Sequence, residues 1–287
     1  MINNEYINVF KNIYSSKDPN LKIIVFDLDE TLGNFTDLEI LWNTLTLYCD
    51  HNLIENDFNN LLDLYPEFIR YGIKPILRFI YNKKINGECN KIFLYTNNQS
   101  SPKWVNMIIQ YFNHILNIKK PNILFDQVVY AFKIKNKIIE KKRTSNKKKH
   151  SDLINCTLIP KDAEICFIDD SYYNSMNNNF VYYIQPLSYQ HNLSIHEMID
   201  RLFTSNFNKY FTVNNTNKSI FYNNLYSNYE NSKYSFNKLL DTNIIVTQKI
   251  MYYIKDFFII SNKQNVTKKN YKRIKKNTRK KYNKINK

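Results

Sequence analysis

Cysteine is sparse in this chain, and the four that occur show no regular spacing. No pair has the separation of metal ligands, which argues against a cysteine-based metal site. We therefore expect reduced, structural thiols and a cytoplasmic or nuclear protein, because disulfides belong to oxidising compartments. The four residues are Cys49, Cys89, Cys156 and Cys166.

Long apolar runs are also missing. The best candidate, residues 244–260, is interrupted by Lys249, Lys255 and Asp256, whereas a membrane-spanning helix needs about 18 or more consecutive apolar residues. The first residues contain no basic segment leading into an apolar one, so we predict no signal peptide. These absences predict a soluble protein with no membrane segment.

Glycine is scarce, at 3 of 287 residues, whereas Asn, Lys, Ile and Tyr are abundant. This skew is typical of an A/T-rich coding sequence, so single Asn and Lys residues carry less weight as functional signals. The apolar fraction of 43% is that of a globular protein. The length allows one α/β domain of ordinary size plus an extension.

The positive charge of the chain is unevenly distributed. Of the net charge of +16, residues 133–150 contribute +8 and residues 262–287 contribute +12, which leaves −4 for the remainder. The body is therefore mildly acidic, and the basicity belongs to one loop and one tail. Localised basicity predicts a polyanionic partner, nucleic acid or an acidic protein, or else a targeting signal.

Two carboxylates follow the first strongly apolar stretch. Lys22–Phe26 is typical of a parallel strand buried on both faces, and it ends in Asp27 and Asp29. In an open α/β sheet, ligands bind beyond the carboxyl ends of the strands. Two close negative charges there are costly unless a positive group shares the site. Because Mg²⁺ prefers oxygen ligands and needs only one or two carboxylates, the pair predicts a magnesium site; two solvated carboxylates are the alternative.

Two further strand-length runs also end in small polar or acidic residues. Lys91–Tyr95 is followed by Thr96-Asn97-Asn98, and Glu164–Ile168 is followed by Asp169-Asp170. If the three runs form neighbouring strands, their ends line one crevice with carboxylates, a hydroxyl and backbone N–H groups.

The order of these features resembles the haloacid dehalogenase (HAD) superfamily of phosphohydrolases, from about residue 21 to residue 186. Its first motif, Asp-x-Asp-x-Thr, is present as Asp27, Asp29 and Thr31. The form Asp-Leu-Asp-Glu-Thr-Leu is most similar to the small-domain phosphatases that act on the phosphorylated tail of RNA polymerase II. The segment 71–79 is similar to their Arg-Pro-Gly-x-x-x-Phe-Leu element, with Arg and Gly displaced. The Lys-rich stretch before Ile-Asp-Asp resembles HAD-like hydrolases of large DNA viruses.

The resemblance implies an α/β fold: a three-layer, Rossmann-like parallel sheet with a small helical cap insertion and a helical C-terminal extension. The expected regions are a catalytic domain over 1–203 with its cap at about 36–90, an Asn/Tyr-rich linker and helical extension over 204–261, and a basic disordered tail over 262–287.

Outside the motifs, local patterns predict three more features. Residues 1–20 have the weak apolar pattern of a short helix leading into the first strand. Val181–Ile184 is typical of an edge strand. Residues 204 to about 238 are rich in Asn, Tyr and Ser without periodicity, which predicts a linker or poorly ordered insertion.

The resemblance also implies roles for the acidic residues. Asp27 would be the nucleophile that forms an aspartyl-phosphate, and its side chain would bind Mg²⁺. Asp29 would act as general acid and then as general base, with its backbone carbonyl as a metal ligand. Asp170, with or without Asp169, would complete the metal site. Asp-Asp stands where the polymerase-tail phosphatases have Asp-Asn, so the identity of the direct ligand stays open.

The phosphoryl group would be held by the hydroxyl of Thr96, helped by the backbone N–H groups of Leu28 and Asn97. A lysine between the second and last motifs is also required by the resemblance, to offset charge on the transferring group. The candidates, in order of preference, are Lys148, Lys149 and Lys147.

Three functions are compatible with the sequence. The one we favour is a Mg²⁺-dependent phosphomonoester hydrolase acting on a phosphoprotein or a small phosphate ester. The second is a phosphatase for nucleic-acid ends, with the basic loop and tail binding the backbone. The third is a non-catalytic HAD-like scaffold that binds nucleic acid through its tail. The complete set of motif residues argues against the third, because a decayed site usually loses its nucleophile first. The tail does not decide the second, because basic ends are as often nuclear signals as nucleic-acid contacts and no base-reading module is recognisable.

Overall fold

The three apolar runs form neighbouring parallel strands at the centre of one sheet. The structure, a computed structural model, describes residues 2–11, 21–48, 53, 55–211, 215–230 and 241–260. The strands are β1 (Ile2–Asn4), β2 (Ile7–Lys11), β3 (Lys22–Phe26), β4 (Lys91–Tyr95), β5 (Gln127–Val129), β6 (Lys133–Ile134), β7 (Lys137–Ile138), β8 (Glu164–Ile168) and β9 (Val181–Pro186). The helices are α1 (Phe35–Tyr48), α2 (Glu55–Leu64), α3 (Ile73–Ile85), α4 (Pro102–Ile115), α5 (His150–Thr157), α6 (Ile195–Thr204), α7 (Asn215–Glu230) and α8 (241–260). Short 3₁₀ helices cover Pro66–Phe68, Asn174–Met176 and Asn206–Phe211.

The main sheet is mixed and mostly parallel. Its seven strands lie in the order β1-β2-β9-β8-β3-β4-β5. The five strands from β9 to β5 are parallel, whereas β2 runs antiparallel to β9 and β1 antiparallel to β2. Strands β6 and β7 form a separate hairpin. The predicted α/β class is therefore confirmed, but the sheet is not wholly parallel.

Helices cover both faces of the sheet. Along β3, Ile24 and Phe26 point into one hydrophobic cluster, and Ile23 and Val25 point into a second. The second cluster contains the apolar residues of α5, and the first contains those of the other seven described helices. Because successive side chains of a strand alternate between faces, the apolar residues 23–26 of β3 can all be buried only if both faces of the sheet are covered, as they are here.

The N-terminal residues form strands where the sequence predicted a helix, so that prediction is wrong for residues 2–11. Ile7 and Val9 are buried in the core, while Asn8 between them donates a 3.2 Å hydrogen bond to Gln185 of β9. This alternation suits a sheet strand and not a helix face. Strand β9 exists as predicted, but it is internal because β2 pairs along its length.

The predicted linker at 204–238 contains regular structure: the 3₁₀ helix Asn206–Phe211 and helix α7. Phe221, Leu225 and Tyr229 recur every four residues along α7 and are all buried. The Tyr229 hydroxyl also donates a 2.5 Å hydrogen bond to the carbonyl of Asp37 in α1. The Asn-rich composition concealed this apolar stripe. Residues 231–240 and the basic tail 262–287 lie outside the described residues.

The stretch predicted as a cap, about 36–90, contains helices α1 to α3. Their apolar faces belong to the same hydrophobic cluster as β3 and β4. The division into catalytic domain, cap and extension stays a prediction. Within the described residues, no helix combines the length and the apolar character needed to cross a bilayer.

Candidate active site at the ends of three strands

The strand order brings the predicted site residues together. Strand β3 lies between β4 and β8 in parallel register, with Phe26 opposite both Leu94 and Ile168. Parallel neighbours end at the same edge of a sheet, so Asp27, Thr96 and Asp169 follow three adjacent strand ends. The backbone N–H of Asp27 continues the ladder with a 2.9 Å hydrogen bond to Ile168.

An acidic cluster occupies this edge. Carboxylate oxygens of Asp27, Asp169 and Asp170 all lie within 4.8 Å of one another. Asp27 and Asp169 are buried and Asp170 is partly exposed, so the cluster opens to solvent at one side. Ligands of one Mg²⁺, each about 2.1 Å from the ion, are separated by at most about 4.2 Å. Small side-chain adjustments would therefore let this all-oxygen set hold such an ion.

Lys148 lies between two of these carboxylates. Its ammonium donates to Asp27 and, at 2.7 Å, to Asp169, and its side chain is 1% exposed. Burial acts against the charged ammonium, but the carboxylates of Asp169 and Asp27 outweigh it and raise the pKa of Lys148. Of the three candidate lysines, Lys147 is exposed and the Lys149 ammonium contacts Thr144 at 2.9 Å.

The charges in the cluster do not balance. Three carboxylates face one buried ammonium, which leaves an excess of two negative charges if all are ionised. Burial, opposed by Lys148, raises the pKa of Asp27 and of Asp169. A bound divalent cation would remove this imbalance and favour the ionised carboxylates.

Asp170 is held by hydroxyl groups. Thr31 donates to one carboxylate oxygen at 2.9 Å and accepts from the Asp170 N–H at 3.0 Å. Ser188 donates to the other oxygen at 2.7 Å. Thr31, the last residue of the Asp-x-Asp-x-Thr motif, therefore links the loop after β3 to the loop after β8.

Asp29 lies beside the cluster, and its carboxylate is hydrogen-bonded by Asn98. Both of its carboxylate oxygens accept from the side-chain amide of Asn98, at 2.9 and 3.1 Å. Burial, together with the nearby Asp27 carboxylate, raises the pKa of Asp29 to about 7. A group with this pKa exists in both protonation states near neutral pH, as general acid–base chemistry requires.

The three predicted phosphate-binding residues surround the same edge. Thr96 is fully buried, and its hydroxyl accepts a 2.9 Å hydrogen bond from the Asn98 N–H. The backbone of Leu28 hydrogen-bonds the Asp27 carboxylate. The side chain of Asn97 donates to the Tyr173 hydroxyl at 3.1 Å.

Two buried arginines that sequence reasoning missed brace these loops. Arg143 donates to the carbonyl of Thr96 at 3.0 Å and to the side chain of Asn97 at 2.7 Å, and it lies 4.7 Å from the centre of the Tyr95 ring. Arg70 contacts the carbonyls after β3. Arg143 lies within the basic stretch 133–150, and Arg70 directly precedes the segment 71–79. Nothing in the local sequence distinguishes either arginine from an exposed basic residue.

No protein-family model, curated protein or solved structure matches this chain. The fold and site together define an α/β protein with a buried cluster of carboxylates and one lysine at the carboxyl end of its sheet. The likeness to the HAD superfamily stays a prediction based on the motif residues.

Proposed function

We propose that this protein is a Mg²⁺-dependent phosphomonoester hydrolase of the HAD type that works through an aspartyl-phosphate intermediate. The observation that carries the proposal is the convergence of Asp27, Asp169, Asp170 and Lys148. Three carboxylates and a buried ammonium would bind a divalent cation and a phosphoryl group in adjacent positions. The same elements serve phosphoryl transfer generally, where positioning and charge stabilisation supply most of the catalysis.

Mg²⁺ would be held by the carboxylates of Asp27, Asp169 and Asp170, with the backbone carbonyl of Asp29 as a further ligand. When bound, it supplies positive charge to the oxygens of the transferring group. The ammonium of Lys148, already between Asp27 and Asp169, would contact the same oxygens from the protein side. The Thr96 hydroxyl and the N–H groups of Leu28 and Asn97 would complete the phosphate contacts.

In the first step, a carboxylate oxygen of Asp27 attacks phosphorus and the bond from phosphorus to the ester oxygen breaks. Asp29, in its protonated form, gives its proton to the leaving oxygen. In the second step, the Asp29 carboxylate takes a proton from water, the water oxygen attacks phosphorus, and the bond to Asp27 breaks. Inorganic phosphate leaves and Asp29 is again protonated. The pKa of about 7 for Asp29 suits both duties.

The test is hydrolysis of p-nitrophenyl phosphate by the full chain, with Mg²⁺ or with EDTA. We expect turnover only with Mg²⁺ and none in Asp27→Asn, because an amide is a poor nucleophile. Asp200→Asn, at an exposed position, is the matched control and should retain full activity. Equal turnover by Asp27→Asn and the control would reject the nucleophile assignment.

A further inference from the structure

A group of exposed lysines belongs to the same stretch of chain as Lys148 of the candidate site. The chain from β6 to the start of α5 carries nine basic residues, and six of these are exposed lysines. We call these six the basic rim: Lys133, Lys135, Lys137, Lys141, Lys142 and Lys147.

The rim is fixed to the site by its two buried neighbours. Arg143, which follows Lys142 in the chain, hydrogen-bonds the carbonyl of Thr96. Lys148, which follows Lys147, contacts Asp27 and Asp169. Two of the rim lysines, Lys142 and Lys147, are therefore the chain neighbours of residues that contact the acidic cluster or the loop beside it.

The rim charge is not neutralised by the protein. Among the described residues, none of the six ammonium groups lies within 4.0 Å of a carboxylate. Glu140 is the only acidic residue between 133 and 150. The chain outside this stretch and the tail has a net charge of −4. A concentrated positive surface on an acidic body attracts and orients polyanions.

The rim exceeds what a small ester requires. One phosphomonoester carries about two negative charges near neutral pH, and the six positive charges of the rim exceed these even if Lys148 and a bound cation only balance the three carboxylates. Six exposed lysines in the stretch that holds Lys148 are suited to a ligand whose negative charge continues beyond the reacting group.

Aromatic rings lie beside one of the rim lysines and beside the candidate site. The Lys133 ammonium lies 5.3 Å from the centre of the Phe132 ring. The Tyr173 hydroxyl accepts a hydrogen bond from the side chain of Asn97 in the site. Its neighbour Tyr172 is 43% exposed, and its ring stacks on that of Tyr183 with an interplanar angle of 15°. Lysines with exposed aromatic rings are the combination that binds single strands, through phosphate contacts and base stacking. An acidic peptide would use only the charges.

We propose that the basic rim binds the backbone of a single-stranded nucleic acid whose terminal phosphomonoester enters the acidic cluster. The assignment rests on the proposed phosphatase function and names its substrate class. A single strand suits the site because Asp27 and Thr96 are buried, so that a terminal nucleotide must separate from any complementary strand to reach them.

The binding test uses fluorescein-labelled dT12 with a 3′-phosphate and the full chain in EDTA, followed by anisotropy at several KCl concentrations. The rim variant is Lys135→Gln/Lys137→Gln/Lys141→Gln/Lys142→Gln. The control, Lys74→Gln/Lys119→Gln/Lys120→Gln/Lys161→Gln, removes the same charge at exposed positions elsewhere. Because both variants keep the basic tail, its contribution cancels in the comparison.

We expect binding by the rim variant to be about tenfold weaker or more at 0.1 M KCl. We also expect its slope of log affinity against log salt to be shallower by about 2 to 3, since each phosphate contact on a single strand contributes about 0.7. The control should keep the wild-type slope. Equal slopes for all three proteins would overturn the proposal.

The kinetic test compares kcat/KM for dT12 3′-phosphate, dT12 5′-phosphate, a phosphoserine peptide and p-nitrophenyl phosphate. We expect an oligonucleotide to be preferred, and the ratio of its kcat/KM to that of p-nitrophenyl phosphate to fall about tenfold in the rim variant. Preference for the phosphopeptide, or an unchanged ratio, would overturn the nucleic-acid assignment while the phosphatase remains. Failure to hydrolyse any of the four would reject the phosphatase, and the EDTA binding data would still decide whether the rim holds a strand.

Discussion

Arg70 donates a 2.6 Å hydrogen bond from Nε to the carbonyl oxygen of Thr31, 39 residues away in sequence. Its Nη2 donates to the carbonyls of Glu30 at 2.5 Å and Leu187 at 2.8 Å. The guanidinium is buried, and its hydrogen bonds join the loop after β3 to the loop after β9. Since Ser188 in the latter loop contacts Asp170, Arg70 supports both sides of the acidic cluster without entering it.

Replacing this arginine should destabilise the fold. Arg70→Ala removes a donor from three carbonyls, of which that of Glu30 keeps the Tyr189 N–H, and we expect a loss of about 3 kcal/mol in the free energy of unfolding. Urea denaturation followed by circular dichroism measures it. Arg78→Ala removes an exposed arginine and should change the midpoint little. Coincident midpoints for the two variants would show that the Arg70 contacts contribute nothing to stability.

Lys148 should matter for both stability and activity. Lys148→Met keeps the length of the side chain but leaves Asp27 and Asp169 buried without their cation, which typically costs about 3–5 kcal/mol. We expect turnover of p-nitrophenyl phosphate to fall by about 100-fold or more, because charge on the transferring group is no longer offset. Lys161→Met, at an exposed position, is the control. Wild-type turnover by Lys148→Met would remove this lysine from the mechanism.

Asp29 should make the metal-free protein less stable as pH rises. Its pKa is raised from its ordinary value of 3.8 to about 7, so between these values the folded protein holds a proton that the unfolded chain has lost. The free energy of unfolding therefore falls from about pH 4 to about pH 7.

Asp29→Asn removes that dependence. In EDTA we expect the variant to be more stable than wild type by about 2–4 kcal/mol at pH 8, and the difference to shrink toward pH 4. Urea denaturation at both pH values measures the difference, with Asp200→Asn as the exposed control. A stability difference that does not vary with pH would contradict the raised pKa.

The buried thiols should resist modification. Burial raises the pKa of Cys89 and of Cys156 to about 12, and that of Cys166 well above its ordinary value. Thiolate increases with pH, so at pH 8 only about one thiol in ten thousand is reactive at a pKa of 12. In a Cys49→Ser variant, which removes the cysteine outside the described residues, Ellman's reagent should label native protein negligibly and all three thiols in guanidinium. Rapid labelling of the native protein would refute this.

The positions of Asp27, Thr96 and Asp169 could be predicted because the signals are local. Each follows a short apolar run, and burial on both faces of a central strand requires such a run. The direction of parallel strands then determines which end meets the ligand. The α/β class follows from the same runs.

The partners of these residues could not be predicted, because they depend on contacts between distant segments. Asn98 reaches Asp29 across 69 positions and Arg143 reaches Thr96 across 47. In the sequence, Arg143 is one of nine basic residues in its stretch, and only the tertiary structure separates it from the exposed lysines. Helix α7 was not predicted for a different reason: the asparagine and serine residues between its apolar positions conceal the helical periodicity.

The N-terminal hairpin has a further consequence for how the protein behaves in solution. It extends the sheet beyond β9 and ends it in β1, a strand of three residues, while the opposite margin is β5, also of three residues. Unpaired backbone groups at a sheet margin recruit strands from other molecules, and short margins limit that recruitment. Loss of the hairpin would expose the unpaired backbone groups of the six-residue β9. Strands of other molecules could then pair with this longer margin, and we expect the protein to aggregate.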